Sequence, residues 1–195
     1  MSLNGIACGE QGEPTETPTD PETSEPPTGG TPSALSVEGN ELVDAEGATV
    51  VLNGFNRTGT EWPCIHGWGF VDGPVDDAAI EAITSWNPNA VRVPMNEQCW
   101  LGRQAYRDFI DDWVTRLTEA GAYVILDLHW NAHGTEQAEA RQKMANTDHS
   151  IGFWESVAVQ FKDNPAVLYD LYNESHDISE ECSRTAGSDR SARRR

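Results

Sequence analysis

Residues 123–130, YVILDLHW, form an almost unbroken run of aromatic, β-branched and leucine side chains. A strand that is apolar on both faces has to be covered on both, which suits a parallel sheet flanked by helices better than an antiparallel sheet with one wet face. The neighbouring sequence supplies those helices. Upstream, QAYRDFIDDWVTRLTEAG puts Phe109, Ile110, Trp113, Val114 and Leu117 on one helical face and stops at Gly121, which suits a left-handed C-cap. Downstream, Ser150 is placed to cap a helix carrying Phe153, Trp154, Val157 and Phe161, and Asn164-Pro165 ends it before another β-forming run, AVLYDLYNES at 166–175.

The same alternation extends towards the N-terminus. ATVVLNGFN reads as a strand, VDDAAIEAITSWN as a helix opened by Asp76 and Asp77, and AVRVPM as a second strand. Strand and helix thus alternate through four strands, which implies a parallel sheet with right-handed crossovers. A doubly wound open sheet is disfavoured because no Gly-rich dinucleotide turn follows the first strand. Polar residues gather at the ends of all four strands, as in a TIM barrel. The expected class is therefore α/β, an incomplete TIM (β/α)8 barrel with about four of its eight strands. A small β-hairpin, LSVEGNELVDAEG, precedes it.

The strand ends hold the candidate chemistry. Asn53, Asn56 and Arg57 follow the first strand; Arg92 lies in the second, with Asn96 and Glu97 after it; His129 and Trp130 end the third; Asn173 and Glu174 end the fourth. Alternation places Asp127 and His129 on one face and Leu126 and Leu128 on the other, towards the helices. An arginine, a histidine and an amide around the Glu174 carboxyl would form a setting for a general acid. A Glu174 that caps a helix or sits solvated in a loop is the competing reading. His129 and His133 have zinc-ligand spacing, but HWNAH lacks the glutamate of the metalloprotease motif and starts at a strand end, so no metal or other cofactor is expected. Asn56-Arg57-Thr58 and Asn173-Glu174-Ser175 read as chance glycosylation matches. Cys64 and Cys99 follow adjacent strands, as free thiols or as a disulfide. Seven tryptophans is a high number for this length. Trp113 and Trp154 read as core, whereas Trp62, Trp68 and Trp130 near strand ends offer flat faces for sugar rings.

NGFNRTGTEW, Arg92 in AVRVP, His129 in LDLHW and the Asn173-Glu174 pair resemble the first half of a glycoside hydrolase family 5 catalytic domain, the cellulase type. The resemblance covers roughly residues 35–181. It implies hydrolysis of O-glycosyl bonds in a β-linked polysaccharide, β-1,4-glucan favoured, with Glu174 as acid/base. Asn173 would orient the sugar 2-hydroxyl or the nucleophile, Arg92 and His129 would support the acidic site, and Trp130, Asn56 and Trp68 would bind substrate. Ser175 stands where the family usually has proline. Retention requires a second carboxylate about 5–5.5 Å from the first, and the family takes it from a seventh strand. Asp127, Asp170, Glu97 and Asp177 are poor substitutes, so an inactive fragment or a sugar-binding module is the alternative. A full-length enzyme of this kind is expected to be a secreted monomer.

The flanks differ from this middle. Residues 9–34 are Pro, Thr, Glu, Ser and Gly with almost no apolar side chain, and are expected to be a disordered linker. Before it, residues 1–8 resemble the last strand of a family 2 carbohydrate-binding module; a damaged lipoprotein signal or an arbitrary start are the alternatives. After it, residues 182–195 lose apolar periodicity and gain arginine, as wrong-frame translation of a GC-rich gene would. A natural basic tail is the other possibility. The net charge of −19 excludes a nucleic-acid partner, no apolar run is long enough for a membrane span, and no export signal is read.

Overall fold

A computed structural model of the protein describes residues 30–179. Residues 1–8, the linker as far as residue 29, and the 182–195 tail with Cys182 lie outside the described residues.

The hairpin pairs β1 (Ser36–Glu38) with β2 (Glu41–Val43), antiparallel, across Gly39 and Asn40. The main sheet has four parallel strands in the order β3 (Gly54–Asn56), β4 (Ala90–Asn96), β5 (Tyr123–Trp130) and β6 (Val167–Asp170). Sequential strands are neighbours throughout, as alternating strands and helices dictate. The connecting helices are α1 (Pro63–His66), α2 (Asp77–Thr84), α3 (Glu97–Gly102), α4 (Gln104–Glu119) and α5 (Ser150–Phe161).

The core follows the strand alternation. Val91, Val93 and Met95 of β4 and Val124, Leu126 and Leu128 of β5 point to the helix side, where they meet Ile110, Trp113, Val114 and Leu117 of α4 and Phe153, Val157 and Phe161 of α5. The α4 face read from the sequence is therefore the buried one, with Tyr106 added. Gly121 adopts φ +95° just past this helix, the left-handed region where a Cβ is costly. Asp76 caps α2 by accepting from Ala79 N at 3.0 Å, and Asp77 lies in the first turn. The other sheet face is closed at its N-terminal end by Ala90, Tyr123 and Ala166, against Leu35, Val50 and Leu52 of the leading segment. Beyond that plug, the inner face carries polar side chains.

Three local expectations change. The first strand is shorter than ATVVLNGFN: Asn89 uses its side-chain amide to accept from Asn53 N at 2.7 Å and donate to Val51 O at 2.8 Å, and Thr49 bridges back to Val43, so these backbone groups are spent before the sheet begins. At Gly54 the β3 backbone comes so close to β4 that a Cβ would lie 1.7 Å from Ala90 O, which only glycine permits. The fourth strand ends at Asp170, four residues before Glu174. Ser150 does not cap α5; it is the first helical residue, and its hydroxyl donates to buried Glu97. The N-cap is His149, without a side-chain cap bond; Asn146, in the turn before it, accepts from His149 N at 2.8 Å and Ser150 N at 3.4 Å.

The helices α1 and α3 were not legible as periodic segments. Asn96 starts α3 by accepting from Cys99 N at 3.1 Å, while its amide donates to Glu61 O and Ala138 O. Cys64 in α1 and Cys99 in α3 form a disulfide, with Cα atoms 6.2 Å apart.

Candidate active site

Arg92 organises the inner face beyond the plug. Its side chain donates to Asn56 Oδ1 from Nη1 at 3.2 Å, to Asp170 Oδ2 from Nε and Nη2 at 3.2 and 3.1 Å and to Asn173 Oδ1 from Nη2 at 2.9 Å, and it forms an ion pair with buried Asp127, Nη2 to Oδ2 at 2.8 Å. These come from β3, β5, β6 and the turn after β6, so one guanidinium ties the C-terminal half of the sheet together. The register explains the need. Asp127 and Asp170 sit directly opposite each other on β5 and β6, where like charges repel; the arginine offsets that repulsion. A five-donor fork does this where an ammonium would not.

His129 completes the group. Its Nδ1 lies 2.6 Å from the same Oδ2 of Asp127, as the shared face predicts. Asp127 is wholly buried, and burial pushes its pKa above the ordinary carboxylate range despite the lowering effect of His129 and Arg92. Its second oxygen, Oδ1, has no hydrogen-bond partner.

Asn173 is buried, and its backbone N–H donates to Leu128 O at 3.1 Å. Arginine only donates, so the amide must turn its oxygen to Arg92, which leaves the N–H₂ donors to face elsewhere. Glu174 stands apart. It takes φ +46°, its side chain is 64% exposed, and it pairs with Arg141 Nη1 at 3.1 Å. Of the residues expected around Glu174, Arg92 and His129 meet Asp127, Arg92 also meets Asp170 and Asn173, and the Glu174 carboxylate itself pairs with Arg141. Glu174 lies four residues past the end of β6, beyond the reach of strand alternation. Arg141 carries no sequence signal; it arrives on the long β5–α5 loop. That loop is anchored by buried amides, with Asn146 donating to Ala132 O at 2.9 Å. Tyr172 Oη donates to Gln142 O at 2.6 Å, and burial pushes its phenol up to about 12.

Two residues named at the strand ends have structural roles. Asn96 and Glu97 are buried, Asn96 as the α3 cap and Glu97 under Ser150 and Asn146. Desolvation raises the Glu97 pKa, outweighing the donors and the nearby His149. A carboxyl raised in this way keeps its proton in the folded state over a pH range where the unfolded chain has lost it. Its contribution to stability therefore falls as pH rises from the ordinary carboxylate value through the native one, and is constant above. Glu97→Gln cannot ionise and lacks that fall. Urea unfolding between about pH 4 and 8 is expected to show the wild-type-minus-variant difference moving against wild type, then levelling; a pH-independent difference would contradict the assignment.

Next to this group lies an aromatic patch. Trp62 and Trp68 meet edge to face at 5.5 Å, His66 lies 5.0 Å from Trp68, and His66 also meets Trp130 at 6.5 Å. Trp68 is 69% exposed. The disulfide ties α1, which carries His66, to α3. His66 stands between Trp62 and Trp68 in the chain, but its meeting with Trp130, 64 residues on, is visible only in three dimensions. Among the described residues no three His, Cys, Asp or Glu side chains converge as a metal site would need.

The chain as a whole is similar to known proteins. Residues 43–189 match the model of the Cellulase family, glycosyl hydrolase family 5. The chain belongs to glycosyl hydrolase family 5. Endoglucanase A of Butyrivibrio fibrisolvens is 32% identical over 152 residues, covering 72% of this chain and 31% of that protein. Endoglucanase MaCel5A of Microbulbifer sp. is 28% identical, covering 74% of this chain and 26% of the relative. Among solved structures, a β-glucanase from Saccharophagus degradans in complex with cellotetraose superposes with a TM-score of 0.57 at 24% identity, over 80% of this chain and 46% of the other. The hyperthermophilic endocellulase of Pyrococcus horikoshii gives a TM-score of 0.58 at 21% identity, over 81% and 48%. These superpositions show the shared α/β fold. The family 5 chain spans 31% and 26% of the length of the two curated relatives.

Proposed function

We propose that this family 5 chain contributes the acid/base half of a retaining glycosidase that cleaves O-glycosyl bonds in a β-linked polysaccharide, β-1,4-glucan in preference. The observation that carries the reading is the Arg92–Asn173 bond. It locks the amide oxygen inward, frees the N–H₂ group to donate to a sugar hydroxyl, and sets Glu174 as the next residue beyond the strand ends. In this reading Glu174 protonates the departing glycosidic oxygen and later takes a proton from water. Arg92 and His129 hold the floor, Trp68 and Trp130 stack sugar rings, and Asn56, held on Arg92, borders the substrate. Names of relatives that are endoglucanases and a neighbour's cellotetraose complex support the choice of glucan.

The finer domain reading goes with it: 1–8 as a binding-module remnant, 9–34 as a spacer, 35–181 as the N-terminal half of a barrel, 182–195 as an aberrant tail. The Cys64–Cys99 disulfide supports an oxidising compartment and hence a secreted enzyme, monomeric when full-length.

One observation favours a second reading, a sugar-binding but non-catalytic module. Asp127 and Asp170, the carboxylates nearest Arg92, are both committed to it, which leaves Glu174 without a free partner acid in that group. Reducing-end release from a soluble β-1,4-glucan discriminates. Turnover by the chain that is lost in Glu174→Gln supports the enzyme. Absence of turnover, with cellotetraose binding that depends on Trp68 and Trp130, supports the module.

A further inference from the structure

We infer that Asp127 is a positioning residue of this site: its buried carboxylate fixes His129 as the Nδ1–H tautomer, so that Nε2 is the acceptor nitrogen, and holds the Arg92 fork in register with Asn173. The inference uses the sugar-cleaving reading only to say what the arrangement is for; the arrangement itself is tested separately.

The geometry leaves little choice. An ionised carboxylate only accepts, so a histidine nitrogen 2.6 Å from Oδ2 must carry the proton. In a neutral imidazole the second nitrogen is then an acceptor. The same Oδ2 receives Arg92 Nη2 at 2.8 Å. One oxygen therefore sets both the ring and the guanidinium, and the guanidinium in turn sets the Asn173 amide at 2.9 Å. Asp127 is positioned to do this by β5 itself: it is two residues before His129 on the same face, flanked by Leu126 and Leu128, which anchor the strand in the helix-side core. Asp170 does not duplicate the role. It bonds Arg92 but not His129, and its side chain is 38% exposed. Nor does Asp127 bond Glu174, so its effect on the proposed acid runs through Arg92 and Asn173.

The orphaned Oδ1 sharpens the argument. A buried acceptor without a partner costs stability, and an apolar residue at this position on the inner face would avoid that cost. A carboxylate retained at such a place is accounted for by what its other oxygen orients.

Imidazole nitrogen NMR of the full chain tests this at a pH where the ring is neutral, with His129 resonances assigned by their loss in His129→Gln. In wild type the Nδ1–H form is expected to predominate by roughly ten- to a hundred-fold, the strength of a hydrogen bond to a charged group. In Asp127→Asn the excess is expected to shrink, and in Asp127→Leu, which offers no acceptor, to disappear, with a comparable Nε2–H population emerging. Asp170→Asn is expected to leave the His129 tautomer as in wild type. A merely structural Asp127 would move none of these ratios. Nε2–H predominating in wild type, or Nδ1–H persisting undiminished in the Asp127 variants, would overturn the inference; the wild-type spectrum decides even if Asp127→Leu does not fold. A chain with the stated tautomer but no turnover would instead count against the catalytic reading alone.

Discussion

Arg92→Met is expected to lower the unfolding free energy at neutral pH by about 3–5 kcal/mol, the usual consequence of removing one partner from a buried ion pair. The methionine approximates the volume of the arginine stem but none of its donors. Asp127 would remain wholly buried with only His129 against one oxygen and nothing against the other. Asp127 and Asp170, opposite each other in the sheet, would repel without their shared cation. The amide oxygens of Asn56 and Asn173 would each lose a donor. The loss should shrink in acid. The pKa of Asp127 is already raised by burial, and removing Arg92 removes a positive charge that lowers it; the penalty for its charge is present above the folded-state value and disappears as pH falls through it. The double variant Arg92→Met/Asp127→Asn is expected to recover part of the loss, giving a coupling energy between contacting residues. Urea unfolding of wild type, both single variants and the double variant at neutral and acid pH measures all of this. A single-variant loss below about 1 kcal/mol, the value typical of an exposed ion pair, would show that Arg92 is not the hub its bonds imply.

Cys64→Ser/Cys99→Ser is expected to cost about 2–4 kcal/mol, since the bridge closes a loop with a sequence separation of 35 and restricts the unfolded chain accordingly. Both sulfurs are buried, so the serines also place hydroxyls among core side chains. Reduced wild type and the double serine variant should unfold at similar denaturant midpoints, both well below oxidised wild type. The local effect should be on α1, a helix of one turn with little apolar face of its own; loss of the bridge is expected to loosen the Trp62, His66 and Trp68 patch, seen as a change in tryptophan fluorescence before the main transition. Coincident midpoints for oxidised and reduced protein would mean that packing alone holds α1.

The regular elements could be read in the chain because they depend on local periodicity. The β5 run, the α4 face and the Asp76 cap all lie where residue spacing puts them. The pairing of Asp127 with His129 was equally legible, because strand alternation is a two-residue rule. Elements set by distant partners were not. The helix α3 exists because Asn96 caps it while bonding Glu61 and Ala138, and Ser150 moves inside α5 because Glu97, 53 residues away, needs a donor. Arg141 reaches Glu174 across a loop without periodicity.

By itself, then, the sequence determined the alternating parallel architecture, its helical core faces and the set of polar residues delivered to the strand ends. Tertiary structure alone decided how those polar residues group. Arg92, His129 and Asn173 were expected around Glu174; Arg92 is instead shared by Asp127, Asp170 and Asn173, His129 pairs with Asp127, and Glu174 pairs with Arg141. The physical reason is that strand period fixes which face a side chain takes, whereas burial and the count of available donors fix which charges must share one cation.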